Sequence, residues 1–409
     1  MASKVRSALV EAAWLDGERA RAYARILFFF SLAGALIWIA LAQHGIDREG
    51  KPLGTDFVSF WTASELALAG QPADAYDVAA HWGAQKALFG PGVAYSAFFY
   101  PPPYLLICLP LAAFPYLWSL GLWLAATGYA YWRVVRAYAG PGLERVAILA
   151  FPAFLLNAGH GQNGFLSAAL IGAGALWLDR RPILAGLCFG ALVYKPHLAP
   201  MIPIALTAAR RWTTLAAAAA TAVGLVAASW VWFGEATWRG FFAATPLARA
   251  VLERNLVGDE KMQSVFSATR LLHGDLTLAY GLQAAATIGA ALALIALNRR
   301  RGAAEGPAMV AAALIASPFL LDYDLTLLAI PLAWLMREGL RSGFAPGEKI
   351  VLVFAYMLPL YSRTVAGGLG LPLAPLVVAA TFFFVAQRAR QCAPVPLAPA
   401  KFLLAARES

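Results

Sequence analysis

Apolar stretches long enough to cross a membrane recur along the chain, separated by short polar links and two long polar loops. Residues 24–43, ARILFFFSLAGALIWIALAQ, read as a first span, since about 20 apolar residues cover about 30 Å of hydrocarbon. Runs near 146–156, 215–233, 276–297, 306–320, 325–336, 350–363 and 371–387 repeat the pattern. The run 104–136 is too long for one straight span and contains Pro110 and Pro115, so it reads as a short hairpin or one kinked span. RPILAGLCFGALVYKPHLAPMIPIALTAARRW carries Lys195 and His197 near the centre of another long run. It reads either as one tilted helix that buries Lys195 or as two short helices meeting at Lys195 and Pro196. Splitting either of these two runs, and not the other, gives about 12 spans with both termini inside. The expected fold is an all-α polytopic membrane bundle in which each helix satisfies its own backbone.

Between the spans, arginines cluster: Arg133 and Arg136, Arg180 and Arg181, Arg210 and Arg211, Arg299 to Arg301, Arg337 and Arg341, Arg388 and Arg390. By the positive-inside bias these ends face the cytoplasm. The expected organisation is a cytoplasmic amphipathic N-terminus over 1–23, a membrane domain over 24–390 with outer loops at 44–100 and 234–275, and a cytoplasmic tail over 391–409. Residues 1–23 are too polar for a signal peptide. Splitting the Lys195 run, with Arg180 and Arg181 inside, obeys the charge rule better, and only the side of the GHGQNG segment depends on that choice.

Composition agrees. Of 409 residues, 61% are hydrophobic and 13% charged, where soluble domains average about 25% charged. The net charge of +10 belongs to membrane orientation rather than to a nucleic-acid partner, because the basic residues sit at span ends. Cys108, Cys188 and Cys392 give neither a disulfide framework nor a metal spacing.

Chemistry is expected in the polar breaks. In GTDFVSFWTASELALAG, Thr55 or Asp56 precedes a helix with Phe57, Phe60, Trp61, Ser64 and Leu68 at helical spacing and Gly70 as a stop. Such a helix is expected to lie amphipathically in the membrane interface. It would hold the Asp56 carboxylate at the water boundary, where it suits general-base chemistry. The alternative is a plain helix cap. NAGHGQNG, with Asn157, His160, Gln162 and Asn163, lines a cavity or makes a solvated turn. Lys195 is either a functional buried cation or a snorkelling side chain. Trp61, Trp82, Tyr95 and Tyr100 stack on a ligand or anchor at the interface. SPFLLDYD places Asp322, Tyr323 and Asp324 on the outer side, while Gln263 and Arg270 lie in the second outer loop.

The segment GTDFVSFWTASELALAGQPADAYD resembles the opening pattern of glycosyltransferase family 87. The landmarks YPPPYLLICLPLAAFP, GQNGFL, AGLCFGALVYKPHLAP, MQSVFSATRLL and SPFLLDYDL follow in the same order, so the resemblance spans roughly residues 54–330. The family is similar to other GT-C enzymes, multi-span transferases that move a sugar from a polyprenyl-phosphate carrier to a hydroxyl on the extracytoplasmic side; members include mannosyltransferases. The resemblance implies Asp56 as catalytic base. Lys195, His160, His197 and Arg270 are expected to receive the phosphate charge, with Lys195 first among them. Gln162, Asn163, Gln263, Asp322, Tyr323 and Asp324 are expected at the sugar or acceptor. One of Asp322 and Asp324 is equally a candidate cap of the next helix. Related mannosyltransferases often carry a histidine after the Ser-Pro pair; here the stretch reads Asp322-Tyr323-Asp324, so donor identity does not carry over. A polyprenyl-phosphate sugar donor, a glycolipid or glycan acceptor and the bilayer are the expected partners. No cofactor is expected, and a divalent metal between Asp56 and the Asp322–Asp324 pair is unsupported. The rival is a transporter of lipid-linked sugar, which would place its polar groups near the midplane. Their gathering in loops on one face favours an enzyme, and a single prominent loop aspartate fits inversion, which needs one base and no covalent carboxylate.

Overall fold

The computed structural model describes residues 12, 14–142, 145–258, 260–298 and 304–391, and among these the protein is helical, with isolated bridges as its only β pairing. In chain order the helices are α1 (Gly17–Ala40), α2 (Phe57–Leu68), α3 (Val78–Phe89), α4 (Pro102–Cys108), α5 (Tyr116–Ala139), α6 (Arg145–Leu149), α7 (Pro152–His160), α8 (Gly164–Trp177), α9 (Pro182–Ala191), α10 (Met201–Ala208), α11 (Trp212–Glu253), α12 (Val265–Leu271), α13 (Leu276–Asn298), α14 (Glu305–Ala316), α15 (Ala329–Ser342), α16 (Glu348–Leu369) and α17 (Ala374–Gln391). Four of them, α1, α11, α13 and α16, are long and apolar enough to span a membrane by length and composition. The expected dozen spans is therefore not matched by a dozen full-length helices; shorter apolar helices such as α8, α9 and α14 make up the interior. Of α14, every residue but Ile315 is buried. A helix apolar all round belongs inside a bundle, and α14 packs against α8, α10, α13, α15 and α17.

Prolines and glycines set the breaks. Pro110 and Pro115 end α4 and open α5, with a 3₁₀ turn at Leu111–Ala113 between them. Pro152 splits the run 146–156 into α6 and α7. The Lys195 run forms two short helices, α9 and α10, joined by 3₁₀ turns on either side of Lys195. On α9, Gly186 and Gly190 face α11 so closely that an added Cβ would fall 2.4 Å from Ala217 Cβ and from the Ala218 carbonyl, respectively. Two small residues four apart are a common device for close helix approach in membranes.

Two expectations need correction. The helix after Asp56 does not lie on the interface: Phe57 through Ser64 are all buried, enclosed by α3, α4 and the 3₁₀ turns Pro72–Tyr76 and Leu111–Ala113. Ser59 and Ser64 sit on its less apolar side yet bond carbonyls of Ala97 and Leu109, which lets that side be buried too. At the expected start of the second outer loop, Gly234, with φ of 77° and ψ of 173°, breaks the line of α11, and a second helical stretch runs from there to Glu253. The span expected at 325–336 begins later, after a 3₁₀ turn at Asp322–Leu328. The described part of the amphipathic N-terminus runs directly into α1, capped by Asp16. The rest of it, Arg299 to Arg301, and Cys392 with the tail, lie outside the described residues.

Candidate active site

Helices α8, α10, α14 and α15 each run between two unlike ends of the bundle. One end holds ion pairs: Arg211 with Asp179 and Glu305, and Arg388 with Glu348. The other end gathers the polar breaks around Asp56.

Asp56 occupies the position before α2, but its backbone is in the αR region and its side chain makes no capping hydrogen bond. The carboxylate is turned elsewhere, to Gln162, whose Nε2 donates to Asp56 Oδ2 at 3.1 Å. The Asp56 N–H donates to the His160 carbonyl at 3.0 Å, and Thr55 Oγ1 lies 2.7 Å from His160 Nδ1. Such close approach of two loops requires glycine. At Gly161, φ is 64° and a Cβ would lie 2.5 Å from Phe57 Cβ; at Gly54, φ is 73° and a Cβ would lie 2.9 Å from Leu120 Cδ1. Asp56 itself is half-buried.

The NAGHGQNG break is a built turn rather than a solvated one. Asn157, fully buried, donates from Nδ2 to the Gln162 carbonyl at 3.0 Å and accepts the Gly164 N–H on Oδ1 at 2.9 Å. Gln162 and Asn163 are buried beside it. Gln162 Oε1 accepts the Asn163 N–H at 2.9 Å and the Tyr100 hydroxyl at 3.2 Å.

Beneath this turn, Lys195 and Asp324 form an ion pair with side chains only 2% and 1% exposed. Lys195 Nζ also donates to Asn163 Oδ1 at 3.0 Å and lies 5.3 Å from the centre of the Tyr323 ring. A snorkelling lysine would reach solvent; this one is fixed by a counter-ion, as burial of a charge requires. Asp324 further accepts the Leu321 N–H on Oδ2 at 3.3 Å. In the strap between α14 and α15, Asp322 accepts the Tyr323 N–H at 2.8 Å. Burial raises the Asp322 carboxyl above the usual range, opposed by the positive side of His160, the Tyr323 amide and Arg363. The strap is tied to the second loop, Gln263 N–H donating to the Leu320 carbonyl at 2.7 Å and Asp322 N–H to the Lys261 carbonyl at 3.2 Å.

The residues singled out by sequence thus divide. Asp56, His160, Gln162, Asn163, Lys195, Asp322, Tyr323 and Asp324 converge. Gln263 lies behind the strap, its Nε2 donating to the Glu260 carbonyl at 3.0 Å. His197 packs against Phe319, ring centres 6.1 Å apart, with a buried Nε2 that has no partner among the described residues. Arg270 donates to the Gly274 carbonyl at 2.8 Å, closing its own helix end. The Trp61 and Trp82 indoles donate to the carbonyls of Phe114 and Val93 at 3.0 and 2.9 Å. Sequence reasoning missed Arg363, exposed near the end of α16 and within electrostatic reach of Asp322. A lone arginine closing an apolar run was the available signal, the same one that singled out Lys195.

A helical membrane bundle with a carboxylate held at one end over a polar, cation-bearing floor has the form of a membrane transferase. The sequence profile of glycosyltransferase family 87 matches residues 98–331, more than half of the chain, and the chain belongs to that family. No curated protein and no solved structure matches it.

Proposed function

We propose that this membrane glycosyltransferase moves a sugar from a polyprenyl-phosphate donor to a hydroxyl of a glycolipid or glycan on the extracytoplasmic face, with inversion and with Asp56 as general base. The observation that carries the reading is the Asp56 carboxylate itself. It stands at a helix N-terminus without capping it, Gln162 holds Oδ2, and among the described residues Oδ1 accepts no hydrogen bond.

In the reaction the acceptor O–H bond breaks, its proton passes to Asp56, and the oxygen forms a bond to the anomeric carbon. The bond from that carbon to the phosphate oxygen breaks with its electron pair, and the phosphate leaves. Positive groups at the exit lower the barrier. Arg363, as a cation, and His160, as a ring N–H donor, are both within electrostatic reach of Asp322 and are the groups assigned to this. Lys195 contributes from below, through its bonds to Asn163 and Asp324. No redox step or organic cofactor is called for.

The test is transfer of radiolabelled sugar from a panel of polyprenyl-phosphate sugars to membrane glycolipid extracts, comparing wild type with Asp56→Asn in nanodiscs. Asp56→Asn is expected to bind donor and to lose at least about 100-fold in turnover, within the usual range for a general base. Equal transfer by both proteins would remove Asp56 from the chemistry. Donor binding and movement between leaflets without transfer would make the protein a transporter.

A further inference from the structure

Gln162 has a single hydrogen-bonding arrangement open to it. A backbone N–H can only donate, so the atom that meets the Asn163 amide at 2.9 Å must be the oxygen Oε1. That places the amide nitrogen on the side of Asp56 Oδ2, 3.1 Å away. The Tyr100 hydroxyl, which can donate or accept, fits that orientation by donating to Oε1 at 3.2 Å. The turn that presents Gln162 is fixed in turn by Asn157, which bonds the Gln162 carbonyl and the Gly164 amide, and by Lys195, which bonds Asn163 Oδ1.

Gln162 is also buried, 4% exposed, with its oxygen accepting two protein donors. Little of it is left to meet a sugar hydroxyl.

We infer that Gln162 is a positioning residue for Asp56: its amide, locked in one orientation by the Asn163 N–H and the Tyr100 hydroxyl, pins one carboxylate oxygen and leaves the other facing the acceptor. This rests on the reading of Asp56 as base. A donor N–H on one carboxylate oxygen fixes the direction in which the other faces. A glutamine can supply that hydrogen bond without adding charge, whereas a carboxylate in its place would repel Asp56 or share a proton with it. Titratable groups within electrostatic reach of Asp56 include Tyr116 of α5, Tyr100, and Asp322 and Tyr323 of the strap, and the His160 ring bonds the neighbouring Thr55 while its carbonyl accepts the Asp56 N–H.

The experiment measures kcat, donor KM and the pH dependence of kcat for wild type, Asp56→Asn, Gln162→Ala, Gln162→Glu and Tyr100→Phe, each checked for fold by gel filtration and thermal melting. Gln162→Ala is expected to lower kcat about 10- to 100-fold, as loss of a hydrogen bond to a charged group would, with donor KM changed less than about threefold. In Gln162→Glu the acid limb of the kcat profile is expected to move to higher pH by about one unit or more, because two carboxylates then share the site. Tyr100→Phe removes one of two donors to Oε1 and is expected to cost about fivefold in kcat with KM unchanged; it carries the test if the Gln162 variants do not fold. An unmoved acid limb, or a raised KM with unchanged kcat, overturns the inference and returns Gln162 to substrate binding. Full activity in Asp56→Asn instead overturns the base assignment itself, and the inference with it.

Discussion

Replacing Lys195 by methionine leaves the Asp324 carboxylate at 1% exposure without its counter-ion. Breaking a buried pair from one side costs about 3–5 kcal/mol, because the surviving charge stays desolvated, whereas removing both charges is often close to neutral. Asp324→Asn is expected to destabilise by a similar amount by stranding the ammonium. The double variant Lys195→Met with Asp324→Asn is expected to cost clearly less than either single variant, because it strands no charge. In a chain of this size each kcal/mol moves the melting point by about 2 °C or less, so the single variants should melt several degrees lower and the double variant should return most of the way. Scanning fluorimetry in nanodiscs reads this directly. A Lys195→Met protein that melts with wild type, or a double variant no better than the singles, would refute the ion pair as the tie between the strap and the floor of the site. Donor KM in the double variant then separates two roles. A direct phosphate contact predicts a large rise in KM, and a purely supporting lysine predicts a fall in kcat alone.

Two further outcomes follow from the same geometry. His81 in α3 donates from Nε2 to the Ser59 carbonyl at 3.1 Å and is buried, and burial lowers its pKa from the ordinary 6.5 to about 4. The unfolded chain therefore takes up this proton first: stability is whole above about pH 6.5, falls as pH drops toward 4, and loses roughly 3 kcal/mol in all. His81→Gln should flatten that slope in melting curves taken at pH 7.5 and 4.5, and an unchanged slope would assign it to other groups. At Gly164 an added Cβ would stand 2.4 Å from Asn157 Oδ1 and 2.9 Å from the Tyr323 carbonyl, while at Gly159 nothing lies within 4 Å. Gly164→Ala is expected to cost about 1–3 kcal/mol and most of the transfer activity, with Gly159→Ala as the silent control in melting and transfer assays.

Much of the site was legible in the sequence because its signals are expensive ones. A lysine amid apolar residues, amides at membrane depth and prolines inside a hydrophobic run all demand a structural answer, and each led to the right segment. What the sequence left open was pairing. Lys195 has several carboxylates within the topology's reach, and only packing chooses Asp324. The helix after Asp56 was read as interfacial from its spacing, but Ser59, Thr62 and Ser64 satisfy themselves on nearby carbonyls, so all of its sides can be buried. Gly234 reads as the end of a span, and the helix line does break there at one positive-φ residue before a second helical stretch runs to Glu253. Asp56 itself lies upstream of the stretch that matches the family profile, so its place rested on chemistry and on the opening pattern.

The bonds that define the site join residues far apart in the chain: Asp56 to Gln162 across 106 positions, Tyr100 to Gln162 across 62, and Lys195 to Asp324 across 129. Closing such loops is an entropic cost that comes before any contact rewards it. During synthesis, the chain up to α13 already contains Asp56, Gln162 and Lys195, but not Asp324, the carboxylate that neutralises that lysine. The site is thus a late product of biogenesis: until the strap after α14 has been made and seated, an unmatched charge waits in the bundle.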